Sequence, residues 1–197
     1  MKNKILILLS IVFLITSCEE VYTPKPRGFY RINFPEKKYK ELNISNIFKT
    51  QIPIYIKIDS TRADSGWYVL VIPQLKASLY LTYKNDNNLK KELNDSRNLV
   101  YKQAIKADDI IESSFINHPK KVYGSLYDIK GDVATSVNFH VTDSISKFLR
   151  GALYFYAKPN KDSLAPVINF VRDDIIKMIE DFYWVDKKIL NDKKNNK

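Results

Sequence analysis

Apolar and polar residues alternate along the middle of the chain. Ile54, Ile56 and Ile58 interleave with Tyr55, Lys57 and Asp59, a two-residue period that predicts a strand. Trp67 to Ile72 is a continuous apolar run between Gly66 and Pro73, as expected of a central strand. In the next strand Ala77, Leu79, Leu81 and Tyr83 share one face, and Ser78, Tyr80 and Thr82 the other. Asn85-Asp86-Asn87-Asn88 then offers a turn and a helix N-cap. Beyond it the period lengthens. Leu89, Leu93, Ser96, Val100, Ala104, Ala107 and Ile111 recur at helical spacing, which predicts one long helix over 89–111, ended by His118-Pro119-Lys120.

Three more strands follow in the same reading. Tyr123, Ser125, Tyr127 and Ile129 oppose Val122, Gly124, Leu126 and Asp128, and Lys130-Gly131-Asp132 is a hairpin signal. Val133, Thr135, Val137, Phe139 and Val141 oppose Ala134, Ser136, Asn138, His140 and Thr142. A turn at Thr142-Asp143-Ser144 leads into a strand over 147–156. Leu164, Val167, Ile168, Val171, Ile175, Met178, Ile179 and Phe182 then stripe a closing helix, with Pro166 expected in its first turn. Hairpin-linked strands pair antiparallel, because parallel neighbours need long crossovers. The expected class is α+β: a mostly antiparallel sheet of about six strands flanked by two long helices. In layout this is similar to the PsbP/Mog1 type of fold, an analogy of architecture that carries no activity.

The start of the chain follows different rules. Lys2 and Lys4 precede an almost wholly apolar run from Ile5 to Ile15, and Ile15-Thr16-Ser17 precedes Cys18, the single cysteine. This is the pattern of a bacterial secretory signal ending in a lipobox. A lipoprotein signal needs cysteine at the cleavage point, because its thiol carries the diacylglycerol. An ordinary signal peptide with an incidental cysteine is the alternative. The apolar run is short of the roughly 18–20 residues that a transmembrane span needs. The expected organisation is a signal peptide over 1–17, a lipidated tether and docking segment over 18–53, a domain over 54–185 and a basic disordered tail over 186–197. With Cys18 lipidated, no disulfide is expected and packing supplies the stability.

Cleavage removes Lys2 and Lys4 and lowers the formal net charge from +10 to +8. A basic chain raises nucleic acid as a partner, but export argues against it. A solvated lysine-rich surface is the simpler reading, with envelope polyanions as the other. The few glycines form no phosphate-binding loop, and only His118 and His140 could join Cys18 in a zinc site, so no cofactor or metal is expected. Asp108-Asp109 and Asp173-Asp174 read as solvated helix faces. His140, Asp143 and Ser144 lie close in sequence, but no Gly-x-Ser-x-Gly elbow accompanies them. Asp143 and Ser144 fit turn chemistry better than a hydrolase, so no catalytic residue is assigned. The remaining candidates are binding residues. Arg150 sits mid-strand on a face with Tyr154 and Tyr156, where it either packs on tyrosine, pairs with a carboxylate or marks a binding face. Lys25, Arg27, Phe29, Tyr30 and Arg31 mix cations with aromatics between helix-breaking prolines, as interface anchors do.

Several stretches, in order, resemble one family. They include Pro24-Lys25-Pro26-Arg27-Gly28-Phe29-Tyr30-Arg31-Ile32, Phe34-Pro35-Glu36-Lys37, Asp95-Ser96-Arg97, Val122-Tyr123-Gly124, Phe148-Leu149-Arg150-Gly151-Ala152-Leu153-Tyr154-Phe155 and Pro159-Asn160-Lys161-Asp162-Ser163. Together they resemble the gliding-motility lipoproteins of the GldD family of the Bacteroidota. The resemblance implies an envelope lipoprotein, anchored in the outer membrane and facing the periplasm. It also implies a non-catalytic role beside other components of the gliding and type IX secretion machinery. A periplasmic binding module for a ligand or client chain is the alternative class, and a hydrolase of the wall or of secreted proteins a third.

Overall fold

A computed structural model describes residues 31–44, 47–59, 61, 65–85 and 87–185. Met1–Ile32 and Asn33–Lys197 are separate compact units. Cys18, Lys25, Arg27, Phe29, Tyr30 and the basic tail over 186–197 lie outside the described residues.

In chain order the second unit has strands β1 (Tyr39–Ile44), β2 (Phe48–Pro53), β3 (Lys57–Asp59), β4 (Trp67–Ile72) and β5 (Ala77–Asn85). Helix α1 (Leu89–Tyr101) leads through a 3-10 turn (Lys102–Ile105) into β6 (Ala107–Asn117), β7 (Val122–Gly131), β8 (Thr135–Thr142) and β9 (Lys147–Phe155). Helix α2 (Lys161–Glu180) and the short β10 (Tyr183–Trp184) close the fold. Seven strands form one antiparallel sheet in the order β3-β4-β5-β9-β8-β7-β6, and β1, β2 and β10 form a smaller one. The α+β class with two helices is as expected from the pattern.

The strand registers place alternate residues on two faces of the large sheet. Leu70, Leu79, Leu153, Phe139 and Leu126 lie on the first face and join one buried cluster with Val171, Ile175 and Met178 of α2. The small sheet adds Leu42, Ile44, Phe48 and Ile52 to that cluster. Phe139 lies flat across β9, where a Cβ on Gly151 would fall 2.1 Å from its ring, so this position has room for glycine alone. Asp128 of β7 receives both Nε (2.6 Å) and a terminal nitrogen (2.7 Å) of Arg172, a bidentate clamp between α2 and the sheet. Helix α1 covers part of the second face. Its Val100 packs with Tyr127, Ile129 and Val133, its buried Glu92 pairs with Lys84 at 2.7 Å, and Asn88 caps its first turn by accepting from Lys91 N–H.

Several expectations need correction. The helix predicted over 89–111 stops at Tyr101, and Asp108 and Asp109 belong to β6, an edge strand paired with β7. The strand expected from Ile54 starts at Lys57, because the chain turns after Pro53 and Ile56 N–H returns to the Pro53 carbonyl (3.1 Å). Val133 precedes β8, and a register shift between Thr135 and Asn138 breaks the simple alternation there. Pro166 is exposed in the second turn of α2, not the first; the Asn160 side chain caps that helix by accepting from Ser163 N–H. Trp67 to Ile72 is second from the sheet edge rather than central.

The domain also begins earlier than the expected boundary at 54. Strands β1 and β2 pair along their full lengths, and the Thr50 hydroxyl donates to the Met178 carbonyl of α2. Phe34 stacks on Phe170 of α2 at 4.4 Å. Asp174, expected as a solvated helix face, is 2 % exposed. It accepts from the hydroxyls of Tyr39 (2.8 Å) and Tyr55, and Lys37 lies 3.4 Å away. Burial and this carboxylate together push the Tyr39 pKa up to about 12 and raise that of Tyr55 as well. Asp173, one residue before, does face solvent, as was expected of both.

Candidate functional site

Helix α1 shields the β7–β8–β9 part of the second face and leaves the β4–β5–β9 part open. There a concavity of about 700 Å³ is lined by residues of β3, β4, β5 and β9 and the turns beside them. Alternation along β9 aims Phe148, Arg150, Ala152 and Tyr154 to this side. Register with β5 sets Thr82 opposite Arg150 and Tyr80 opposite Ala152. Trp67 comes from β4. The result is a rim of aromatic groups around a guanidinium at the floor.

Those aromatics are large and solvent-facing: Tyr80 is 41 %, Tyr154 39 % and Tyr156 59 % exposed. Tyr80 and Tyr154 meet edge to face with centroids 5.2 Å apart. The Tyr156 hydroxyl lies 2.7 Å from Ser78 Oγ and also bonds to Tyr80. Asp59 stands on β3 at the rim, its carboxylate accepting from the Thr61 N–H (3.0 Å) and hydroxyl.

Arg150 is half-buried. A terminal nitrogen reaches Asn138 Oδ1 at 3.4 Å, and its buried Nε has no hydrogen-bond partner. Among the described residues no carboxylate forms an ion pair with it, and burial lowers its pKa. Of the alternatives open for Arg150, pairing with an internal carboxylate is therefore the one the geometry disfavours. Arg31 is exposed.

The sequence-adjacent trio separates in space by function. Asp143 Oδ1 accepts from the N–H groups of Ile145 (2.8 Å), Ser146 (2.9 Å) and Lys147 (2.9 Å), which is turn chemistry. Ser144 takes a left-handed φ of 64° in that turn. His140 is buried beside Phe148 and Tyr127, with no hydrogen bond at Nδ1. Burial drives its pKa down to about 4, against a smaller opposing pull from Glu112. No group of three or more metal-ligating side chains occurs among the described residues, and none of their helices is long and apolar enough to cross a membrane. Sequence reasoning found Arg150 but missed Tyr80 and Trp67 as its companions, since only strand pairing brings β4 and β5 beside β9.

The chain is similar to the solution structure of a cyanobacterial PsbP protein, CyanoP, from Synechocystis, with 9 % identity and a TM-score of 0.46, over 87 % of this chain and 99 % of that one. No curated protein shows significant similarity to the sequence. Residues 19–184 match the family described as gliding motility lipoprotein GldD, and the chain belongs to that family.

Proposed function

We propose that the protein is a non-catalytic component of the gliding-motility and type IX secretion machinery, anchored through Cys18 to the outer membrane and facing the periplasm. The observation that carries this reading is the family match over residues 19–184, which takes in the whole folded domain and the segment that follows Cys18. Membership of a lipoprotein family makes the chain a lipid-anchored envelope protein. The turn role of Asp143 and the unpartnered, buried imidazole of His140 support binding over hydrolysis, because nucleophile activation needs a base within hydrogen-bond reach and a third group that orients it.

Two surfaces serve binding in this reading. One is the segment with Lys25, Arg27, Phe29, Tyr30 and Arg31, which docks on another envelope component. The other is the open aromatic face around Arg150. The experiment is affinity purification of the tagged lipoprotein from crosslinked envelopes, with wild type and the Arg27→Ala/Arg31→Ala double variant. Wild type should capture motility and secretion components. The double variant should lose them with little change in melting temperature, because cations that serve docking rather than packing contribute at most about 1 kcal/mol to a fold. A variant that melts several degrees lower and keeps its crosslinks would make the two arginines structural.

A further inference from the structure

The geometry points to a binding site for an acidic sugar, a pyranose carrying a carboxylate, in the aromatic concavity with Arg150 at its floor. This inference deepens the binding role just proposed and rests on it. The first observation is charge. Arg150 is half-buried, with an unpartnered Nε, a long contact to Asn138 and no ion pair among the described residues. A partly buried charge without a counter-ion is costly, so an arrangement that keeps one is explained by a ligand that supplies the carboxylate. The guanidinium fork matches a carboxylate in two parallel hydrogen bonds. A phosphate carries more charge and draws several cations, whereas Arg150 is the single cation among the described lining residues.

The second observation is the wall. Tyr80, Tyr154 and Tyr156 are largely exposed rings, and an aromatic face is electron-rich. It suits the slightly positive C–H face of a sugar ring. Their hydroxyls, with Thr82 and the Asp59 carboxylate, supply donors and acceptors for ring hydroxyls. The volume of about 700 Å³ lies in the ordinary range for small ligands.

The third observation argues against a peptide held by its backbone. Adding a strand or capturing a chain terminus uses free backbone N–H and C=O groups. The floor lies mid-sheet, where β4, β5, β9 and β8 are paired with one another, so side chains alone face the ligand.

The test is titration of the mature lipoprotein in a detergent without sugar headgroups. The probes are N-acetylmuramic acid against N-acetylglucosamine, and glucuronic acid against glucose. A tripeptide with a free C-terminus, against its amide, is the control. Each acid should bind at least about tenfold tighter than its neutral partner, one charge-assisted pairing being of that order. Arg150→Gln should remove that preference while the melting temperature holds. Tyr154→Ala, at an exposed rim position, should weaken acid and neutral sugars alike. Equal binding of acid and neutral sugar, preference for the free tripeptide, or no binding of any probe would each overturn the proposal. None of those results bears on the crosslinked partners, so the two readings fail separately.

Discussion

His140 has an imidazole enclosed by Phe148 and Tyr127 on a sheet face that α1 covers. Its folded pKa of about 4 lies below the ordinary value of 6.5. Between those values the unfolded chain binds the proton and the folded chain does not. Stability therefore stays complete above about pH 6.5 and is lost as pH falls toward 4. The slope contributed by one such group approaches about 1.4 kcal/mol per pH unit inside that window. Thermal unfolding from pH 7 to pH 4 should show wild type losing more stability than His140→Gln. Parallel loss in both proteins would mean that His140 does not titrate with folding. The same enclosure makes His140 a poor general base, which its proximity in sequence to Asp143 and Ser144 conceals.

At the scale of elements, α2 is the organiser. Its stripe of Val167, Val171, Ile175 and Met178 faces the core as the spacing in the sequence indicates. The polar anchor that sequence spacing hides is Asp174, which holds Tyr39, Tyr55 and Lys37 and so fastens the start of the domain to the closing helix. Asp174→Ala leaves the part-buried hydroxyls of Tyr39 and Tyr55 without their acceptor, and should cost about 3 kcal/mol. For a domain of this size the melting temperature should drop by several degrees. A change under 1 °C would show that the cluster is dispensable. Legibility differed sharply between elements. Strand β5 was clear because Leu79 and Leu81 are buried while Tyr80 between them is exposed, so its period of two survives. Strand β6 was lost because it lies at the sheet edge with Ile111 (44 %) and Ile116 (67 %) exposed. Its apolar residues obey no burial pattern, and Ala104, Ala107 and Ile111 happen to extend the spacing of α1. Pairing with β7 overrides that local pattern. From the sequence the hairpin of β1 and β2 likewise reads as part of a docking segment, because the prolines at 35 and 53 suggest extended chain and the partner helix lies far along the sequence. Arg150 is visible as a cation in an apolar strand; that no carboxylate among the described residues neutralises it is seen only with β5 and β8 in place.

At the scale of the molecule, the large sheet is covered on one face by α2 and on part of the other by α1, which leaves the aromatic concavity open. In the proposed reading that domain hangs on a lipid anchor at Cys18 and has a binding role without catalysis. The most direct measurement is single-cell gliding speed in a strain lacking the chromosomal copy. The strain is complemented at matched protein level with wild type, Cys18→Ala or the His140→Gln/Ser144→Ala double variant. Cys18→Ala should leave cells unable to glide, with the protein unprocessed or released from the membrane fraction, and the double variant should glide at wild-type speed. Normal gliding by Cys18→Ala with soluble protein, or immobile cells carrying the double variant at normal level, would contradict the account.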